Sequence, residues 1–171
     1  MRILQLKELR IPSIVASLLL TASLNSAQTA DSRSGAKPDT VVFVCEHGSA
    51  KSVIAAAHFN RLAAEKGLPY RAVARGTNPD EKIPAIVSNG LSADRLTVSG
   101  WQPTRVSAKD VQIAVQTITL GTELPKSIPI AGLRLTKWND IPAVSENYAA
   151  AQEAIVRHIT ELLRQLAAHS R

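Results

Sequence analysis

The sequence predicts a three-layer α/β fold in which helices flank a four-stranded parallel sheet. Two observations lead to this fold class. Short apolar runs rich in β-branched residues, the pattern of strands buried on both faces, alternate along the chain with segments of helical periodicity. Such alternation favours parallel strands joined by right-handed helical crossovers. The length of 171 residues, with 45% apolar and 20% charged residues, suits one globular domain.

Residues 1–30 have the pattern of an export signal. Basic residues precede an apolar stretch over 11–24, and small and polar residues follow it. The apolar stretch is too short, and too interrupted by proline and serine, to span a bilayer comfortably. We therefore expect a periplasmic or secreted protein without stable membrane association after cleavage; an uncleaved tether or a misassigned start codon is the alternative. The basic residues are Arg2, Lys7 and Arg10.

The predicted domain begins after the signal and a short linker. The polar segment 31–39 is the predicted linker, and the domain follows over 40–171. Val41–Val44 is an unbroken β-branched and aromatic run, which predicts a first strand covered on both faces. After a turn, the spacing of apolar residues predicts a helix over Ser52–Lys66, ended by Gly67.

The remaining elements are predicted from the same two patterns, apolar runs for strands and helical spacing of apolar residues for helices. Apolar residues recur along the C-terminal segment at the spacing of an amphipathic helix whose apolar face packs on a core. The segment before this helix is polar and contains proline, so we expect a loop there. The predicted strands are Tyr70–Ala74, Thr117–Leu120 and Ile130–Leu135, the predicted helices are Pro84–Leu91, Lys109–Val115 and Tyr148–Ala167, and the predicted loop is Thr136–Glu146.

Composition narrows the class of ligand. The formal net charge of +6 favours anionic partners. Nucleic-acid binding is poorly supported, because the chain has two Phe, two Trp and two Tyr and no clustered stripe of Arg and Lys. The histidines lack the spacing of metal ligands, so neither a metal nor another cofactor is predicted. The sequence leaves the oligomeric state open.

Cys45 is the single cysteine and follows the first strand directly. In parallel sheets, ligands bind where strands end and the chain turns into a helix. A turn of this length can aim backbone N–H groups inward as a nest for an anion, and the helix dipole and Lys51 add positive potential. These features favour thiolate over thiol, so we predict a nucleophilic cysteine. The predicted oxyanion-binding loop comprises Glu46, His47, Gly48, Ser49, Ala50 and Lys51.

Ser52 has two candidate roles at the start of the predicted helix. It either caps the helix or donates a hydrogen bond to the thiolate. The pair Lys51-Ser52 also ends like a nucleotide-binding P-loop. That motif requires glycine at the positions of Ala50 and Cys45, so a P-loop is excluded.

The order of these residues resembles that of the low-molecular-weight protein tyrosine phosphatase superfamily, which includes the thioredoxin-type arsenate reductases. The element that carries the resemblance is a cysteine after a buried strand, five intervening residues, a basic residue and a serine. The resemblance extends over most of residues 40–168. Further segments match in order at Arg75-Gly76-Thr77, Val98-Ser99-Gly100, Thr119-Leu120-Gly121 and Trp138-Asn139-Asp140-Ile141-Pro142.

The resemblance implies a covalent mechanism. A cysteine thiolate attacks phosphorus or arsenic held by the loop N–H groups and the basic residue. An aspartate of the loop before the final helix, here the predicted loop Thr136–Glu146, which we call the late loop, protonates the leaving oxygen and then assists the attack of water. Carried over residue by residue, Cys45 is the nucleophile, Lys51 takes the arginine position and Ser52 the serine position. Asp140 is the candidate general acid, with Glu146 as its rival.

The sequence departs from the family pattern at the site itself. Lys51 replaces a planar arginine fork with a point charge, which costs roughly 1.5–3 kcal/mol at the transition state, or about one to two decades in rate. Gly48 stands where the family has an asparagine that locks the loop, and Glu46 puts a carboxylate beside the anion site. Asp140 is followed by Ile141 rather than directly by proline.

Three functions follow from this pattern. We favour an exported cysteine-dependent phosphomonoester hydrolase, similar to a protein tyrosine phosphatase, that binds a phosphate-like oxyanion or phosphorylated substrate and acts through a thiophosphate intermediate. An arsenate reductase is the second hypothesis. We rank it below the hydrolase because a reductase needs further thiols to relay a disulfide, and residues 46–171 contain no cysteine. A non-catalytic oxyanion-binding module is third. His47 is expected to be a side chain at the rim, with a catalytic role as the alternative, and Trp138 is expected to be either a packing residue or a wall of the substrate site.

Overall fold

The computed structural model describes residues 37–169. The predicted export signal lies outside the described residues and stays a prediction. No helix within 37–169 is long and apolar enough to cross a membrane. In chain order the elements are β1 (Asp39–Cys45), α1 (Lys51–Glu65), β2 (Tyr70–Gly76), α2 (Ala85–Ala93), α3 (Ala108–Ile113), β3 (Ala114–Leu120), β4 (Leu135–Trp138) and α4 (Tyr148–His169).

The strands form one parallel sheet in the order β2-β1-β3-β4. The central strand β1 pairs with β2 as far as Cys45 opposite Gly76, and with β3 as far as Val44 opposite Thr119. Because all strands run in one direction, the loops that follow them leave from the same edge of the sheet. Cys45 therefore lies in the middle of the edge where ligand sites of α/β proteins form.

Helices cover both faces of the sheet, as predicted. On one face Phe43 of β1 contacts Phe59 of α1, with ring centroids 5.8 Å apart. On the other, Val42 and Val44 pack with Val111 of α3. Each fully buried side chain of this size contributes about 1.5–3 kcal/mol, so β1 is a well-anchored base for the site. The apolar face of α4 is buried on this core as predicted, through Ala151, Ile155, Ile159, Leu162, Leu163 and Leu166.

The fourth strand is displaced from its predicted place. The prediction of Ile130–Leu135 is wrong, because the strand that pairs with β3 is Leu135–Trp138. Ile130 is 60% exposed, and the chain turns at Gly132 with a φ of 78°, so the apolar residues before β4 belong to a turn. The predicted loop over Thr136–Glu146 accordingly begins only after β4.

The helix α3 is shorter than predicted. A capping box between Ser107 and Asp110 starts it. The predicted helix Lys109–Val115 wrongly includes two residues of β3, since Ala114 is already extended and pairs with Thr40. At this junction the helix passes into the strand without an intervening loop, so no glycine or proline marks the boundary in the sequence.

Candidate active site

Cys45 ends the central strand and points toward the start of α1. Its Sγ lies 3.1 Å from Ser52 Oγ, and the backbone N–H of Gly48 donates to Sγ at 3.2 Å. The residue is only 5% exposed, so these two groups provide the polar surroundings of the sulfur. The Gly48 N–H is a donor to the sulfur, and in the contact with Ser52 either atom can be the donor.

The structure decides between the two roles considered for Ser52. The helix α1 begins at Lys51 with Ala50 as its N-cap, and no side chain caps it. The hydroxyl of Ser52, which is fully buried, contacts the sulfur of Cys45 instead. The helix-cap role is therefore wrong, and the contact with the sulfur remains.

Gly48 lets the loop after β1 lie against the end of β2. Its φ is 61°, and a Cβ at this position would lie 2.7 Å from the amide nitrogen of Gly76. A Cβ at Gly76 would likewise lie 2.7 Å from the amide nitrogen of Gly48. The two backbones are thus in direct contact, which explains how the loop is held without the asparagine expected from the family pattern.

We expect Gly48→Ala to displace the loop and weaken anion binding. Gly67→Ala is a matched control, since Gly67 has a φ of 63° but open space around it. Both substitutions carry a backbone strain of about 1 kcal/mol or more. Only Gly48→Ala adds a steric cost of roughly 1–3 kcal/mol. Thermal unfolding and phosphate titration measure the difference, and equal effects of the two variants would contradict the close contact.

Asp80, in the loop after β2, binds the oxyanion loop through three contacts. Its Oδ2 accepts a hydrogen bond from Ser49 Oγ at 2.5 Å, and its Oδ1 lies 3.1 Å from Nδ1 of His47. Its backbone N–H donates to the carbonyl oxygen of His47 at 3.0 Å. Asp80 is not among the residues predicted for the site, although its place just after β2, at the edge where ligands bind, was a usable signal.

The loop and its neighbours enclose a cavity above Cys45, of about 430 Å³, which we call the Cys45 cavity. This volume lies in the usual range of small-molecule sites. Its aliphatic wall comes from α2, from the end of β3 and from the loop before α4. Within residues 37–169, no group of three His, Cys, Asp or Glu side chains could hold a metal ion. The residues of this aliphatic wall are Pro84, Ile86, Val87, Leu120, Ala143 and Val144.

Lys51 lines the Cys45 cavity and also holds the late loop. Its Nζ donates to the carbonyl oxygen of Ile141 at 2.7 Å. An ammonium group has three donors, so two remain for an anion in the cavity. Lys51 can therefore anchor the loop before α4 and bind an oxyanion at the same time.

Asp140 does not line the Cys45 cavity. Its carboxylate contacts Nε2 of His158 at 2.8 and 2.9 Å and lies 3.7 Å from Arg157. The hydrogen bond from His158 holds the pKa of Asp140 below its usual value, which favours the charged form over the protonated form that an acid needs. Ile141 is 4% exposed and Asp140 55%, so the inserted isoleucine turns inward and the aspartate outward.

The late loop reaches the cavity through other residues. Ala143, Val144 and Ser145 line it, and Glu146, the rival acid, does not. The structure thus brings Cys45 and Lys51 together but adds no carboxylate from this loop. The acid role of Asp140 or Glu146 stays a prediction without support from this geometry.

Trp138 is a packing residue. It is buried, its ring lies 5.5 Å from that of Phe43, and it stacks on His158 at 4.7 Å. It is not among the residues that line the Cys45 cavity. Of the two alternatives for this residue, packing is confirmed.

Comparison with known proteins identifies the fold. No protein-family model and no curated protein matches the sequence. YfkJ from Bacillus subtilis matches with a TM-score of 0.70 at 18% identity, covering 80% of this chain and 99% of that chain. The low-molecular-weight protein tyrosine phosphatase of T. tengcongensis matches with a TM-score of 0.63 at 17% identity, covering 74% of this chain and 99% of that chain. The thioredoxin-dependent arsenate reductase of Corynebacterium glutamicum matches with a TM-score of 0.66 at 21% identity, covering 79% of this chain and 65% of that chain.

Two other solved structures of this fold are described with bound phosphate or with a phosphorylated residue. One is an arsenate reductase in a phosphate-binding state, with a TM-score of 0.62 at 15% identity. Another is a cysteine-to-serine mutant of the YwlE arginine phosphatase with a phosphorylated active-site serine, with 0.59 at 16%. At these identities the likeness establishes the fold that the chain shares with these proteins.

Proposed function

We propose, from a fold shared with low-molecular-weight protein tyrosine phosphatases and arsenate reductases, that this chain is a cysteine-dependent phosphomonoester hydrolase. The observation that carries the proposal is the setting of Cys45. Its sulfur lies at the end of the central strand, under a cavity of about 430 Å³, with Gly48 N–H and Ser52 Oγ within 3.2 Å. Export to the periplasm or the medium belongs to the proposal and depends on the signal predicted at 1–30.

The proposed reaction has two steps. The thiolate of Cys45 attacks phosphorus, the S–P bond forms and the bond to the leaving oxygen breaks, which gives a thiophosphate intermediate. Water then attacks phosphorus and restores the thiolate. The loop N–H groups and Lys51 hold the phosphoryl oxygens through both steps. A covalent intermediate is in keeping with the YwlE arginine phosphatase, a protein of similar fold whose cysteine-to-serine mutant carries a phosphorylated active-site serine.

An arsenate reductase is less well supported. Reduction of arsenate by thiols ends in a disulfide, and the sequence carries a single cysteine, so a second thiol would have to come from another molecule. Nothing near Cys45 in the described part of the chain supplies such a group. We therefore place hydrolysis before reduction.

A non-catalytic oxyanion-binding module is the second candidate. One observation favours it: the carboxylate of Asp140 contacts His158 and Arg157 of α4 and does not line the cavity. Such a protein would bind phosphate without releasing an alcohol. Turnover separates this candidate from the hydrolase.

We expect the full chain to hydrolyse p-nitrophenyl phosphate. We also expect phosphate or arsenate to slow the alkylation of Cys45 by iodoacetamide, because the anion would cover the sulfur. Release of p-nitrophenol and the mass of the alkylated protein measure the two effects. Protection without turnover would establish the binding module, and the absence of both would remove the anion site from the proposal.

A further inference from the structure

We propose that His47, held by Asp80, is the proton donor and acceptor of the Cys45 site, in the role that the family resemblance implied for Asp140. This inference rests on the proposed hydrolase function. His47 would protonate the leaving oxygen in the first step and deprotonate water in the second.

The first argument is the fixed orientation of the imidazole. Asp80 Oδ1 lies 3.1 Å from Nδ1 of His47, and the other carboxylate oxygen of Asp80 accepts from Ser49. A carboxylate accepts hydrogen bonds only, so the proton of this contact resides on Nδ1 of the ring. Nε2 is then the ring atom that exchanges a proton, which is the arrangement found where an aspartate orients a catalytic histidine.

The second argument is position. His47 and Asp80 both line the Cys45 cavity, whereas Asp140 and Glu146 do not. The late loop, which was expected to supply the acid, contributes alanine, valine and serine side chains there. A proton donor must come within reach of the leaving oxygen above the sulfur, and His47 lines the same cavity as Cys45.

The third argument is a comparison with the other charged groups that line the cavity. Lys51 donates to the carbonyl of Ile141, and both oxygens of Asp80 are engaged with Ser49 and His47. Glu46 Oε2 lies 3.9 Å from Nε2 of His47, and both side chains stand at the rim of the cavity, 65% and 55% exposed. An imidazole ring can act as a general acid in one step and as a general base in the next, as this reaction requires.

The chemistry balances with this assignment. As the thiolate attacks phosphorus, the P–O bond breaks and the leaving oxygen takes the proton from Nε2, so that an alcohol departs and the ring becomes neutral. In the second step neutral Nε2 takes a proton from water as its oxygen attacks phosphorus. The S–P bond breaks, which restores the thiolate of Cys45 and the charged ring of His47.

The test compares two leaving groups in the full chain. We expect His47→Gln to lower kcat for an alkyl phosphate by about 10²-fold, because an alkoxide leaves poorly without a proton. For p-nitrophenyl phosphate, whose leaving group needs little protonation, the loss should stay below about tenfold. His169→Gln, on the exposed end of α4, is the matched control and should leave both rates unchanged.

Asp80 acts as a positioning residue, and its test needs a readout of the ring itself. We expect Asp80→Asn to change the tautomer of His47, visible in the ring ¹⁵N chemical shifts, and to produce the same dependence on the leaving group with a smaller loss. Glu81→Gln, at the exposed neighbouring residue, is the control. An unchanged ¹⁵N spectrum would overturn the orienting role.

The remaining outcomes separate this inference from the proposed function. Equal losses on both substrates from His47→Gln, with unfolding temperature and phosphate affinity intact, would overturn the inference. Dependence on the leaving group in Asp140→Asn, without it in His47→Gln, would overturn it in favour of Asp140 and leave the hydrolase standing. No turnover of either substrate by the parent chain would overturn the hydrolase itself.

Discussion

Replacing Cys45 with serine is expected to lower the turnover of aryl phosphates by about 10⁴-fold or more, because the variant loses its nucleophile. A serine hydroxyl is a much weaker nucleophile than a thiolate, and the side chain in contact with this position within residues 37–169 is the hydroxyl of Ser52, which is not a base. Phosphate affinity should be nearly unchanged, since the loop N–H groups and Lys51 remain. Rates of p-nitrophenol release and calorimetric titration with phosphate measure the two quantities.

The proposed intermediate gives this prediction an independent measurement. Acid quenching of the parent chain during turnover should trap a protein that is heavier by one phosphoryl group, and peptide mapping should place the group on Cys45. Ser52→Ala is the matched control, because it removes the hydroxyl 3.1 Å from the sulfur and keeps the nucleophile. It should slow turnover without abolishing it. Parent-like turnover by Cys45→Ser would exclude a covalent role for the thiol.

The fold could be predicted because its strongest signals are local. The unbroken apolar run Val41–Val44 is buried on both faces, and the apolar spacing of α4 matches the face that packs on the sheet. The prediction of the fourth strand was wrong for a physical reason. Its neighbour Ile130 is apolar but exposed, whereas Thr136 and Lys137 of β4 are polar residues of an edge strand. Hydrophobicity alone favours the wrong segment there.

The candidate site was predictable where its residues are contiguous. Cys45, Lys51 and Ser52 follow one another through a single turn, so their spacing alone places them together. The contacts of Asp80 and Ile141 join segments distant in sequence, and no local pattern reports them. Asp140 was predicted to be a site residue because it lies close to Pro142 in the sequence. In the structure Ile141, between the two, is buried, and the carboxylate of Asp140 therefore turns away from the Cys45 cavity. Which of these two neighbouring side chains faces inward is decided by packing, which the local sequence does not show.

Lys51 governs the second large effect that we expect. Lys51→Met shortens the side chain by one atom and removes the charge that, in the proposed mechanism, binds the phosphoryl oxygens, and also the hydrogen bond to Ile141. We expect kcat to fall by about 10²–10³-fold, the usual cost of losing one donor to a transition-state oxyanion. Lys66→Met, at the exposed opposite end of α1, controls for loss of charge and should change little.

Lys51→Arg tests the same position in the opposite direction. A guanidinium can bind two equatorial oxygens of the transition state where an ammonium binds one, and it has donors left for the carbonyl of Ile141. We therefore expect kcat to rise, by up to about tenfold. Steady-state kinetics on p-nitrophenyl phosphate, with thermal unfolding as the check on folding, measure this. A fall in kcat with unchanged unfolding would mean that the loop and the Ile141 carbonyl are shaped around lysine.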